Sequence, residues 1–198
     1  MNKEKKLVLA SSSPRRKRLM EKAGFEFRTA EPHAEELHAG NPEELVTENA
    51  RRKALSVQRD LDGIIIGADT IGICNGELLG KPADENDARR MLLLQQEYPC
   101  MVITGLVTLD TKKNRTSQGY ERSLVVMEGG RNGVEDYLKT GLWKGKAGSF
   151  GLQDRGPIGA RVVEGEEDNV IGMPMTLLRR LLSLVGYEYP ERTPSGKI

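Results

Sequence analysis

Leu7-Val8-Leu9-Ala10-Ser11-Ser12-Ser13-Pro14-Arg15-Arg16-Lys17-Arg18-Leu19 passes from a short apolar strand through three serines into a helix whose first turn carries four consecutive cations. Strand, polar turn and basic helix start, in that order, predict an α/β fold with a phosphate-holding site at the turn. Pro14 suits the first helical position, where its missing N–H is not needed, and Ser13 before it is a favoured N-cap. The free N–H groups and the positive end of the helix dipole then face whatever lies over the serines. Arg15 and Arg16 add forked donors matched to phosphate oxygens. Without a ligand, the same run also reads as a capped surface helix with solvated charges.

Working outward, the chain reads as one continuous α/β unit over residues 1–198, with no repeat or low-complexity tract and a polar, frayed tail over 188–198. Phe25 to Ala30 is a second strand, followed by the acidic loop Glu31 to Leu37. Asn41-Pro42-Glu43-Glu44 opens a helix with Leu45, Ala50, Ala54 and Val57 toward the core and Arg51, Arg52 and Lys53 elsewhere. Gly63-Ile64-Ile65-Ile66-Gly67 is a strand covered on both faces, ending at Ala68-Asp69-Thr70. Ile71 to Leu79 forms a hairpin turning at Asn75-Gly76. A helix over Asp84 to Glu97 shows Ala88, Met91, Leu92 and Gln95 along one face, and Cys100 to Leu109 pairs antiparallel with Arg115 to Met127. Asn132 to Thr140 is a short helix with Glu135 in a capping box. Gly145 to Gly159, with five glycines and a proline in fifteen residues, is built for close backbone approach. Ala160 to Glu164 is a strand and Pro174 to Val185 the last helix.

Composition narrows the function. With 30 basic and 29 acidic residues the formal charge is +1, so no long-range field draws nucleic acid, and aromatics are only 5%. No apolar stretch approaches the ~20 residues of a membrane span, and the basic start runs into only four apolar residues; the expected compartment is the cytoplasm. Cys74 and Cys100 have no metal-type spacing, and two buried, reduced thiols are expected.

The strongest candidate for chemistry is Asp69, a carboxylate after a buried strand at the sheet edge where open α/β folds place ligands. It also reads as an Asp bonding its own turn. Glu35 and Glu36 offer a second carboxylate, or a solvated acidic loop. Two carboxylates with phosphate-binding cations point to a hard divalent ion such as Mg²⁺. Lys81 follows the hairpin that leaves Asp69 and returns toward it. Neither a G-x-x-x-x-G-K-[ST] loop nor a G-x-G-x-x-G fingerprint is present, and His33 and His38 read as surface residues.

Leu9-Ala10-Ser11 with Ser13-Pro14-Arg15-Arg16, Gly67-Ala68-Asp69-Thr70, Leu79-Gly80-Lys81-Pro82, Lys146 to Gln153, and Asn169 to Pro174 together resemble the Maf family of nucleotide pyrophosphatases, in order and spacing across residues 7 to 185. The resemblance implies a single domain of the Maf and inosine-triphosphatase type, with a mixed, curved sheet flanked by helices around a deep cleft. It implies hydrolysis of a nucleoside triphosphate to monophosphate and pyrophosphate with Mg²⁺ or Mn²⁺. Carried over by position, Asp69 resembles the catalytic carboxylate and Glu36 its metal-binding companion. Ser11, Arg15, Arg16, Lys53 and Lys81 resemble the substrate contacts. Arg15, Thr70 and Gln153 resemble the specificity positions of the subgroup acting on dTTP and UTP, as against the one acting on methylated GTP. The chain departs from the family pattern at Arg18, Gly145, Phe150 and Asp154, where Glu, Asp, Tyr and Gly are usual. A non-catalytic nucleotide-binding regulator of cell division and a pyrophosphatase for modified nucleotides are the rival readings. No nucleic-acid or membrane partner is expected, and a homodimer is left open.

Overall fold

The computed structural model describes residues 6–58, 61–154 and 156–188. The frayed tail expected over 188–198 therefore lies, from residue 189 on, outside the described residues. The opening run forms β1 (Leu7–Ala10) and α1 (Pro14–Lys22), and is followed by β2 (Phe27–Ala30), α2 (Pro42–Ser56), β3 (Ile64–Cys74), β4 (Glu77–Leu79) and α3 (Glu85–Glu97). Then come β5 (Cys100–Asp110), β6 (Arg115–Glu128), α4 (Gly130–Lys139), a 3-10 turn (Ala147–Ser149), β7 (Gly159–Glu164), α5 (Glu167–Ile171) and α6 (Met175–Leu184). One mixed seven-stranded sheet runs β2-β1-β3-β5-β6-β7, with β4 on β3; β1 pairs parallel with β2 and β3, and every other pairing is antiparallel.

β3 decides where the site falls. Its first half, all apolar or glycine, is covered on both faces. Alternation then sends Ile65, Gly67, Asp69 and Ile71 toward α2, and Ile64, Ile66, Ala68 and Thr70 toward the side of α1, α5 and α6. The parallel partner β1 stops at Ala10 opposite Gly67, so Asp69 lies just past the carboxyl end of the parallel pair while β3 continues against β5. The sequence reading ended this strand at Ala68-Asp69-Thr70 and began the hairpin at Ile71. It runs on to Cys74, without a break before the hairpin, because β5 stays paired with it along its whole length to Cys100.

α2 lies unusually close to the sheet. A Cβ on Gly67 would stand 2.0 Å from the Ala50 carbonyl oxygen, and one on Gly105, the cross-strand partner of Asp69, 2.5 Å from the Val46 carbonyl carbon. Only glycine permits that approach. It buries Val46, Asn49, Ala50, Lys53 and Ala54 on one stripe of the helix. Lys53 is thus on the buried face, not the exposed one its neighbours Arg51 and Arg52 suggested.

Four further expectations need correction. Ser13 occupies the N-cap position of α1 but its side chain makes no cap bond. α4 starts at Gly130, and Glu135 caps nothing; it pairs with Arg89 of α3, 2.8 Å away. The short α5 was not foreseen. Cys74 and Cys100 form a disulfide, since the β3–β5 register sets them directly opposite with Cα atoms 4.4 Å apart, a proximity that a separation of 26 residues does not reveal.

Candidate active site

Where β1 ends, the chain opens into a cavity of about 670 Å³. Ser11, Arg15, Arg16, Glu36, Lys53, Asp69, Thr70, Lys81 and Gln153 all line it. Every site residue read from the sequence is therefore brought to one place, although their contacts there differ.

The acidic centre is built by α2. Asp69 is 6% exposed and Lys53 8%. The Lys53 ammonium sits between two carboxylates, 2.6 Å from Asp69 Oδ1 and 2.7 Å from Glu36 Oε1. One helical turn earlier on the same stripe, Asn49 donates to Asp69 Oδ2 at 3.1 Å. The same carboxamide accepts from the Leu37 N–H at 2.8 Å and donates to the Leu37 carbonyl at 3.0 Å, fastening the acidic loop beside Asp69. Asn49 was missed in the sequence; its signal is the i,i+4 spacing to Lys53 on an otherwise small, apolar stripe. Burial opposes ionisation of Glu36, but the hydrogen bond and charge of Lys53, with Lys81 and His38, outweigh it and hold that carboxyl below the usual glutamate range.

On the opposite face of β3, Arg16 spans three partners. Its Nε donates to the Gly172 carbonyl at 2.8 Å, Nη2 to Thr70 Oγ1 at 2.9 Å and Nη1 to Ser11 Oγ at 3.2 Å. Gly172 sits at φ 107°, which L side chains rarely adopt, and a Cβ there would press on Thr70 Oγ1 at 3.0 Å. Thr70 Oγ1 also lies 3.0 Å from Thr104 Oγ1, which donates to the Asn169 carbonyl at 2.9 Å. Thr70 is thus engaged with the arginine support. Ser11 Oγ accepts from the Ser13 N–H as well as from Arg16, which leaves its own O–H as the group free to donate. Burial lowers the pKa of Arg16, and Asp69 and Glu36 partly restore it. Arg15 is half-buried with no hydrogen bond or ion pair to the described residues. Its pKa too is lowered by burial and partly restored by Asp154 and Tyr137.

Lys81 reaches the cleft on the corner after β4, exposed, and this corner is tied to the glycine-rich segment by the Gly148 N–H on the Gly80 carbonyl at 3.0 Å. Gln95 of α3 donates to the Gly148 carbonyl at 2.6 Å. Gln153 lines the cleft and is exposed.

No group of three or more His, Cys, Asp or Glu side chains capable of holding a metal occurs among the described residues. Glu36 and Asp69 nevertheless share one cation already, the Lys53 ammonium, and both offer hard oxygen donors. A pair of carboxylates completed by water and phosphate oxygens is the set that suits Mg²⁺ or Mn²⁺.

No helix among the described residues is long and apolar enough to cross a membrane. Relatives named dTTP/UTP pyrophosphatase match nearly end to end. That of Dictyoglomus thermophilum is 36% identical over 189 residues, covering 93% of this chain and 98% of its own. Those of Thermococcus gammatolerans and Bacillus pumilus are 35% and 37% identical, covering 94% and 91% of this chain and 100% and 96% of their own. The family model described as Maf-like protein matches residues 6–185, from the first strand through the last helix, and the chain belongs to the Maf family.

Proposed function

We propose that this chain hydrolyses nucleoside triphosphates, dTTP and UTP foremost, to the nucleoside monophosphate and pyrophosphate, in the cytoplasm and with a divalent cation. The observation that carries the reading is the meeting, in one cleft, of a buried Asp69–Lys53–Glu36 cluster with the serine and arginine donors of the β1–α1 turn. Relatives bearing the dTTP/UTP pyrophosphatase name along almost their whole length support it.

In this reading Arg16, Ser11 and the α1 N-terminus receive the phosphates, with Arg15 and Lys81 closing on them from the cleft walls. Glu36 and Asp69 would hold the cation. Bound there, a divalent ion neutralises phosphate charge and lowers the pKa of water. Asp69 takes the proton of the attacking water, directed at the α-phosphorus. Asn49 keeps that carboxylate aimed, and Lys53 stabilises it as an anion. The cations offset charge growing on the leaving pyrophosphate. Gln153 meets the base.

A panel of nucleoside triphosphates with Mg²⁺ or Mn²⁺, with products separated, tests this. Monophosphate and pyrophosphate are expected, with dTTP and UTP leading in kcat/KM. Release of diphosphate and phosphate, or no turnover, overturns it.

A further inference from the structure

Asp154 does not line the cleft, yet it lies directly behind Gln153, and its carboxylate is 8% exposed. Three donors converge on its Oδ2: the Lys146 ammonium, the Tyr137 hydroxyl at 2.5 Å and the Gly151 N–H at 3.1 Å. Tyr137 is fully buried in the cluster formed by α3 and α4, so the knot ties both ends of the 146–154 segment to a rigid floor. The other oxygen, Oδ1, faces Gln153 Nε2 at 3.4 Å. A Cβ on Gly151 would stand 2.5 Å from that same nitrogen, so the segment has left space for the nitrogen end of the amide.

An ionised carboxylate only accepts hydrogen bonds, so it tolerates the NH₂ end of the Gln153 amide and repels the carbonyl end. We infer that Asp154 is a positioning residue that locks Gln153 against an amide flip and thereby sets which order of donor and acceptor on the base the cleft accepts. This rests on the reading that Gln153 meets the base. With its nitrogen anchored, Gln153 presents Oε1 as acceptor and its second N–H as donor. Uracil and thymine fit, giving N3–H to Oε1 and taking the N–H on a ring carbonyl. Cytosine reverses the order, with N3 an acceptor and N4 a donor, and fits only the flipped amide. Among purines, hypoxanthine and guanine share the uracil order and adenine the cytosine order, so the same polarity holds within each ring size. A site that leaves polar groups unpaired against the wrong base discriminates strongly.

The test measures binding of the α,β-methylene analogues of UTP and CTP to the full chain by calorimetry, alongside product analysis with the natural triphosphates. The wild type is expected to hold the UTP analogue about 30-fold or more tightly over the CTP analogue. Asp154→Asn, whose carbonyl is claimed by the three donors and whose NH₂ then faces Gln153 and favours its carbonyl end, should cut that ratio about tenfold. In a Gln153→Ala background the same substitution should leave the ratio unmoved, which a merely structural role would not predict. An equal ratio for the wild type, or a ratio indifferent to Asp154→Asn, overturns the inference. Should Asp154→Asn not fold, the N3-methyl derivative of the UTP analogue serves on the wild type: a loss of about tenfold or more supports the locked polarity, and retained affinity overturns it. Because binding is read apart from turnover, a ratio that obeys Asp154 without pyrophosphate release would sink the enzymatic reading alone.

Discussion

The two ends of the cleft are built by different means. At the end proposed to take the phosphates, Arg16, Asp69 and Lys53 stand on α1, β3 and α2 and Ser11 on the turn just after β1, elements tied by a parallel ladder and by a helix seated on bare glycine backbone. At the end proposed to meet the base, Gln153 stands on a segment with one 3-10 turn, held by the carboxylate knot at Asp154 and by the bonds of Gly148 to Gly80 and Gln95. A reacting group displaced by 1 Å forfeits much of the rate, so it belongs on the sheet. A group that only chooses among bases tolerates a loop, where substitution is cheap.

This contrast is sharpened first by Asp69→Asn, expected to lower kcat by about 10²–10⁴-fold, since the amide keeps the shape but cannot take a proton. Pyrophosphate release reads the rate and the melting temperature checks the fold; activity within tenfold of wild type would remove Asp69 from its role. Arg16→Ala comes next. Because this side chain bridges Gly172, Thr70 and Ser11, the loss should appear both as weaker triphosphate use, about 10- to 100-fold in kcat/KM, and as about 1–3 kcal/mol of stability. A kinetic effect without any stability loss would show that the bridge carries no packing role. Asn49→Leu, which keeps the volume and removes all three bonds to Asp69 and Leu37, should lower kcat on the order of tenfold, with the ratio of dTTP to CTP use unchanged. The base end gives the smallest effect: Gln153→Glu should shrink the dTTP-to-CTP preference by about three- to tenfold. If that substitution instead abolished turnover of every nucleotide, the separation of the two ends would fail.

The meeting of Ser11, Arg15 and Arg16 at one turn was legible in the sequence because its signals are local. A strand, a serine turn, a proline and a run of arginines lie within 13 residues. Asn41 is similarly readable: its Oδ1 accepts from the Glu43 and Glu44 N–H groups. What escaped notice depends on contacts between distant segments. The inward turn of Lys53 follows from Gly67 and Gly105, 38 residues apart in the chain and neighbours under α2. The Cys74–Cys100 bond follows from strand register. Asp154 looked like an isolated departure from the family pattern because its partners, Tyr137 and Lys146, come together only when α4 and the glycine-rich segment pack.

Lys53 gives the acidic centre its own counter-ion. Two carboxylates that share an ammonium need no outside cation to tolerate each other, so the scaffold can be completed before any metal is available. On the proposed function, the same ammonium would compete with an incoming divalent ion for both oxygens. A triphosphate would relieve that competition by bringing further oxygens for the ion and negative charge for the lysine. Metal and nucleotide uptake would then be thermodynamically linked, each strengthening the other by the same factor, and the resting protein would be spared from collecting cations it has no substrate to use with.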